Sequence, residues 1–208
     1  MEKNNFLQKY TVFDLVLIAM LTAITVAFKA IAGELVRLIT GPLGIPGGAL
    51  AGGLYMLWLP LVIALINKRG AALLISLVQS IVLLITGLPG GHGIWTFLTY
   101  LAPALAVELI MLIKGSKEYN ILHFIYSVII ANIIGTFGSN LVFFRISLLP
   151  LMFTLAAAAL SGALGGIIGY FTFVKVKDLF ITKNSQIKQQ RNDKEAKQQH
   201  DNEEKEQQ

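Results

Sequence analysis

Residues 87–103 read GLPGGHGIWTFLTYLAP, a glycine-rich break that holds His92 and Trp95 between two long apolar runs. The runs on either side, 70–88 and 94–114, each have about the 20 residues that cross a hydrocarbon core of roughly 30 Å at helical rise. The break therefore reads as a connection between two membrane spans, and the same pattern recurs along the chain. Further apolar runs at 12–33, 46–66, 121–143 and 150–174 bring the expected transmembrane helices to six. The expected fold class is an all-α integral membrane bundle.

Composition agrees with this reading. Of the 208 residues, 55% are hydrophobic and 14% charged, against about 25% charged in soluble domains, and the mean hydropathy is +0.67. The chain has no cysteine, which excludes a disulfide framework, a thiolate metal site and a cysteine nucleophile. Lys3 and Lys9 precede the first apolar run as they would in a signal peptide, yet that run lacks a short h-region and an A-x-A-like end. It is expected to be a retained span.

The formal charge of +5 does not point to nucleic acid. Residues 1–182 hold 11 Lys/Arg against 6 Asp/Glu, and residues 183–208 hold 6 against 6, so the excess sits beside the spans, where it sets orientation. Lys3, Lys9, Lys68, Arg69, Lys114, Lys117, Lys175 and Lys177 fall on one side, with Arg37 and Arg145 on the other. The positive-inside rule then places both termini in the cytoplasm and the segments near 34–46, 88–94 and 144–149 outside. Two regions follow: a six-helix membrane domain over 1–182, and a charged cytoplasmic tail over 183–208. The tail has almost no apolar side chain to offset ordering entropy and is expected to be disordered or transiently helical, with His200 solvated.

Enzyme chemistry finds little support. The chain has no G-x-x-x-x-G-K-[ST] phosphate loop, no H-E-x-x-H pair and no G-x-S-x-G elbow, so it is neither its own ATP motor nor a recognisable hydrolase. His92 and His123 fall on opposite sides of the membrane, which leaves no cluster with metal-ligand spacing. No catalytic residue, metal or cofactor is expected.

Polar and aromatic groups at membrane depth remain, and these are expensive unless they line a cavity or pair with one another. Glu34, Arg37, Tyr55, Trp58, His92, Trp95, Tyr100, Asn140 and Arg145 belong to the outward half, while Gln79, Glu108 and Asn132 lie deeper. Glu34, Tyr55, Trp58, Gln79, His92, Trp95, Tyr100, Glu108, Asn132 and Asn140 are the candidate ligand contacts. Each has a plainer alternative: Glu34 can pair with Arg37 on a helix end, Trp95 and Tyr100 can be interface-belt aromatics, and Glu108 can make an internal structural hydrogen bond. His92 stands in a glycine-flanked turn before a helix beginning near Ile94, whose unpaired N–H groups suit a polar ligand.

Small residues recur at helical spacing in three places: Ala19, Ala23 and Ala27 in the first span, GGALAGG at 47–53, and AAAALSGALGG at 156–166. Such smooth faces allow close helix approach in lipid. The latter two are expected to pack internally, and the alanine row to dock a partner.

On these residues the chain resembles the substrate-binding (S) components of energy-coupling factor (ECF) vitamin transporters, with the Ala19, Ala23, Ala27 row similar to the A-x-x-x-A face that docks on the coupling subunit. Arg69-Gly70-Ala71-Ala72-Leu73, the turn Gly87-Leu88-Pro89-Gly90-Gly91 and Glu108 resemble the YkoE type, associated with thiamine and its hydroxymethylpyrimidine precursor. The resemblance implies a six-span S-component bundle in the cell membrane that captures thiamine or the precursor from outside. Its implied partners are a coupling transmembrane subunit, two ATPase subunits and the lipid bilayer. The same fold for cobalamin or another vitamin, a stand-alone secondary transporter and a membrane scaffold are the alternatives.

Overall fold

The computed structural model describes residues 10–42, 47–87, 93–113 and 119–206, the last from Lys183 onward by backbone alone. Among them every regular element is a helix and none is a β-strand. Lys3, Lys9, Leu88 to His92, Lys114 and Lys117 lie outside the described residues.

Helix α1 (Val12–Thr40) begins with a reciprocal cap. The Thr11 N–H and hydroxyl both donate to Asp14 Oδ2, at 2.7 and 2.8 Å, and the Asp14 N–H donates back to Thr11 Oγ1, which satisfies amides that no helical carbonyl can reach. Asp14 also pairs with Lys68, and the Tyr10 hydroxyl donates to the Arg69 carbonyl at 2.7 Å. The start of α1 is thereby fastened to the link between the next two spans. Along α1 the buried positions Asp14, Ile18, Thr22, Thr25 and Lys29 recur every three or four residues, the spacing that keeps one face turned inward. Val16, Met20, Ile24, Ile31 and Leu35 are exposed, as expected of a face turned to lipid.

The second apolar run is a helix pair, α2 (Gly47–Met56) and α3 (Trp58–Ile66), interrupted at Leu57. Leu57 keeps right-handed helical angles, so Tyr55 and Trp58 lie one turn apart on nearly the same face. Helix α3 stops where Asn67 turns left-handed and donates its N–H to the Ile63 carbonyl. Helix α4 (Ala71–Thr86) ends at Gly87, whose φ of 63° and N–H bond to Leu83 form the left-handed stop that glycine accommodates without strain. After α4 come α5 (Thr96–Ile113), with Pro103 inside it, and α6 (Ile121–Ser139), opened by a reciprocal Asn120–His123 cap. A π-helical segment, Asn140–Phe144, follows α6, and the last element is α7 (Leu148–Glu206).

Among the described residues, five helical segments are long and apolar enough to cross a membrane: Val12–Thr40, Gly47–Ile66, Gly93–Leu112, Ile121–Phe144 and Leu148–Phe180. The third of the six expected spans is the exception, because α4 has only 16 residues between two left-handed glycines, Gly70 and Gly87. The segment set apart as a charged tail has helical backbone through Glu206. Its Lys, Glu and Gln content favours helix, and extending an existing helix avoids the nucleation cost.

Residues Met1–Phe171 form one compact unit and Thr172–Gln208 a second. In the first, α5 packs on α4 and α6, α6 on α2, and α1 on α2 and α4, around a core that includes Leu61, Val62, Ile75, Val107, Phe124 and Val128. The small residues of 47–53 and 156–166 meet in its interior. A methyl group at Gly53 would overlap the Ser161 carbonyl, one at Gly165 would overlap the Gly53 backbone, and Gly162 and Gly166 lie against the backbones of Ile129 and Ile125. Such approach gains van der Waals contact in a solvent that supplies no hydrophobic drive between helices. In the second unit the Lys177 ammonium stands 5.9 Å from the Phe173 ring centre.

Candidate ligand-binding site

The inward stripe of α1 carries a charge. Lys29 is 7% exposed, and its Nζ donates to Gln79 Oε1 of α4 at 3.1 Å, itself a 3% exposed residue. The same ammonium lies 4.3 Å from the centre of the Tyr100 ring on α5 and 5.9 Å from that of Tyr55 on α2, placing it against the negative faces of two aromatic systems. Phe28 meets Tyr55 edge to face, with ring centres 6.3 Å apart. Four helices thus converge on one cation, which has no carboxylate partner among the described residues.

Two donors of the α2–α3 pair are unspent. The Tyr55 hydroxyl and the Trp58 indole nitrogen are buried without a hydrogen-bond partner, and a buried polar group left in that state costs about 1–3 kcal/mol. Three of the residues expected from sequence, Tyr55, Gln79 and Tyr100, are therefore joined through a fourth that sequence reasoning passed over. Lys29 was legible as a lysine on the inward stripe of an apolar span, and an intramembrane ionisable residue is by default a candidate functional group.

Glu108 has a different environment. Its Oε1 accepts the Ala72 N–H at 2.8 Å, and the Gly70 and Leu73 amides also bond the carboxylate. These amides open α4, whose N-cap Gly70 offers no side chain, so a carboxylate from α5 performs the capping role from 36 residues away. Negative charge also suits the positive end of the helix dipole. Outside the spans, burial and then the negative charges of Glu108 and Asp14 push the Tyr10 hydroxyl up to about 12 from its ordinary 10.0.

The family described as the ABC-type cobalt transport system, permease component, matches residues 13–134, more than half of the 208. The chain belongs to this family. As a member it is a multi-pass membrane protein, and the matched stretch includes Lys29, Tyr55, Trp58, Gln79, Tyr100, Glu108 and Asn132. Its fold is that of an S-component of an ECF transporter: a crystal structure of one is similar with a TM-score of 0.71, over 88% of this chain and 96% of that one, at 18% identity. No curated protein matches the sequence.

The other expected site residues of this permease-family chain are dispersed. Asn132 is buried and its Nδ2 donates to the carbonyls of Ala49 and Ala158, at 3.2 and 2.8 Å, tying α6 to α2 and α7. Asn140 accepts the Ile146 N–H at 2.9 Å and closes the turn after the π-helical segment. Glu34 and Trp95 are exposed, the latter beside an apolar surface of Ile94, Phe97, Leu98 and Leu101. His92 lies outside the described residues. Ala19, Ala23 and Ala27 are all exposed on α1.

Proposed function

We propose that this chain is the substrate-capture subunit of an ECF-type importer in the cytoplasmic membrane. It binds a small vitamin or vitamin precursor from outside, and a separate coupling subunit with two ATPases drives delivery. The observation that carries this reading is the buried pair Lys29 and Gln79 with the half-buried Tyr55 and Tyr100 against the lysine, and Trp58 one turn from Tyr55, in a permease-family member that has the fold of an S-component. Such a set is expensive at membrane depth unless it serves a ligand or a route. Glu34 and Trp95 form the mouth in this reading, with His92 a further proposed ligand contact and both termini cytoplasmic, while Glu108, Asn132 and Asn140 are scaffolding.

The specific ligand put forward is thiamine or a relative built on its hydroxymethylpyrimidine, because Tyr55, Trp58 and Tyr100 offer faces for a planar ring and Arg69–Leu73 and Gly87–Gly91 carry the YkoE resemblance. Thermal stabilisation of the purified protein by thiamine, hydroxymethylpyrimidine, their phosphates, cobalamin or cobalt separates these ligands. A shift with a thiamine-related compound is the expected result; a shift with cobalamin alone removes that assignment.

Energy coupling has its own test. Replacing Ala23 with Leu on the exposed alanine row is expected to weaken complex assembly while leaving ligand binding by the solitary subunit intact, since overpacking a close interface costs about 1–3 kcal/mol. Uptake that continues in cells lacking the coupling ATPases would instead identify a stand-alone secondary transporter.

A further inference from the structure

We infer that the ligand carries an acidic group, a carboxylate or a phosphate, and that this group seats against Lys29. The inference rests on the capture reading above and specifies the chemistry of that site. Lys29 is buried to all but 7% of its surface and meets one neutral amide oxygen and two ring faces, with no carboxylate partner among the described residues. Among the described residues, the titratable groups in contact with it are Tyr55 of α2 and Tyr100 of α5, while Glu108 is bonded to the start of α4. A buried ammonium without a counter-charge keeps an uncompensated desolvation cost.

The unspent donors of Tyr55, beside Lys29, and of Trp58, one helical turn along from Tyr55, suit the same class of ligand. An indole nitrogen donates and cannot accept, an ammonium only donates, and a phenol hydroxyl donates readily. Trp58 Nε1 and Tyr55 Oη have no partner, so two donors besides the lysine await an acceptor. An anionic oxygen group satisfies them with charge-assisted bonds, the stronger kind, and supplies the missing negative charge. A cationic ligand such as unphosphorylated thiamine brings a second positive charge to Lys29 instead. Thiamine-related compounds meet the requirement as their phosphates.

Matched pairs test this on the intact protein: thiamine monophosphate against thiamine, hydroxymethylpyrimidine phosphate against hydroxymethylpyrimidine, nicotinate against nicotinamide, and biotin against biotinamide. The phosphate pairs and the carboxylate pairs distinguish the two sources of charge. The expected result is that within the pair that binds, the acid binds at least about tenfold tighter, in keeping with a hydrogen bond to a charged group, and that Lys29→Met abolishes the preference. Equal binding of acid and neutral partner overturns the anion assignment and leaves capture standing. Uptake of the acid that persists without the coupling ATPases overturns the capture reading and leaves the Lys29 assignment intact.

Discussion

Lys29 and Glu108 are both ionisable groups buried at membrane depth, and the chain treats them in opposite ways. Glu108 is surrounded by backbone amides of α4 that need an acceptor, so its charge is used up in holding the helix start. Lys29 receives one amide oxygen and two ring faces, and the Tyr55 hydroxyl beside it is unpaired. A buried charge saturated by its own backbone is part of the scaffold, and one left short of partners is available to a ligand.

The largest expected effect separates the two at once. Replacing Glu108 with Ala strips the α4 start of its acceptor and is expected to cost about 3 kcal/mol of stability, the range for breaking a buried charged network, seen as a lowered melting temperature in detergent. Glu108→Gln keeps an acceptor and is expected to lose about half as much. If either variant kept full stability but lost ligand binding, the contrast would collapse, because Glu108 would then belong to the site.

Gln79→Leu removes the one hydrogen-bond acceptor given to Lys29 and is expected to cost about 1–2 kcal/mol in the ligand-free protein, as for a buried donor left unmet, and less once ligand is bound. Tyr55→Phe deletes an unpaired hydroxyl. It is expected to leave ligand-free stability within about 0.5 kcal/mol while weakening binding severalfold.

The smallest effect is a titration. Because the Tyr10 pKa is raised to about 12, Tyr10 contributes stability that is complete below pH 10 and is lost as pH rises through 12. Glu108→Gln removes one of the charges responsible, and ultraviolet titration is expected to show Tyr10 moving back toward 10 in that variant. A Tyr10 curve unchanged by Glu108→Gln would contradict an ionised carboxylate at the start of α4.

Much of this architecture is readable from hydrophobic runs, since a bilayer imposes both length and polarity on each span. The internal packing of 47–53 against 156–166 also follows from small residues at helical spacing. The interruption at Leu57 and the π-helical Asn140–Phe144 carry no compositional mark, whereas the short α4 is bounded by Gly70 and Gly87, which are visible in the sequence although their left-handed angles are not. Glu108 stands out in ALAVELIML, but its partner is a backbone segment distant in sequence, and side-chain patterns do not advertise backbone donors. Lys29 is the instructive case. Counted as one more positive charge it vanishes into a topology argument, whereas placed on the period of Asp14, Ile18, Thr22 and Thr25 it faces inward on a buried stripe.

The most direct test compares wild type and Lys29→Met, each with and without the compound that stabilises wild type. With ligand at 100 times its dissociation constant, wild type is expected to gain about 2.7 kcal/mol. Lys29→Met is expected to match or exceed wild type when ligand-free, because an apolar chain of similar length replaces an uncompensated charge, and to gain almost nothing from the ligand. A Lys29→Met protein stabilised as strongly as wild type would show that the ligand binds elsewhere.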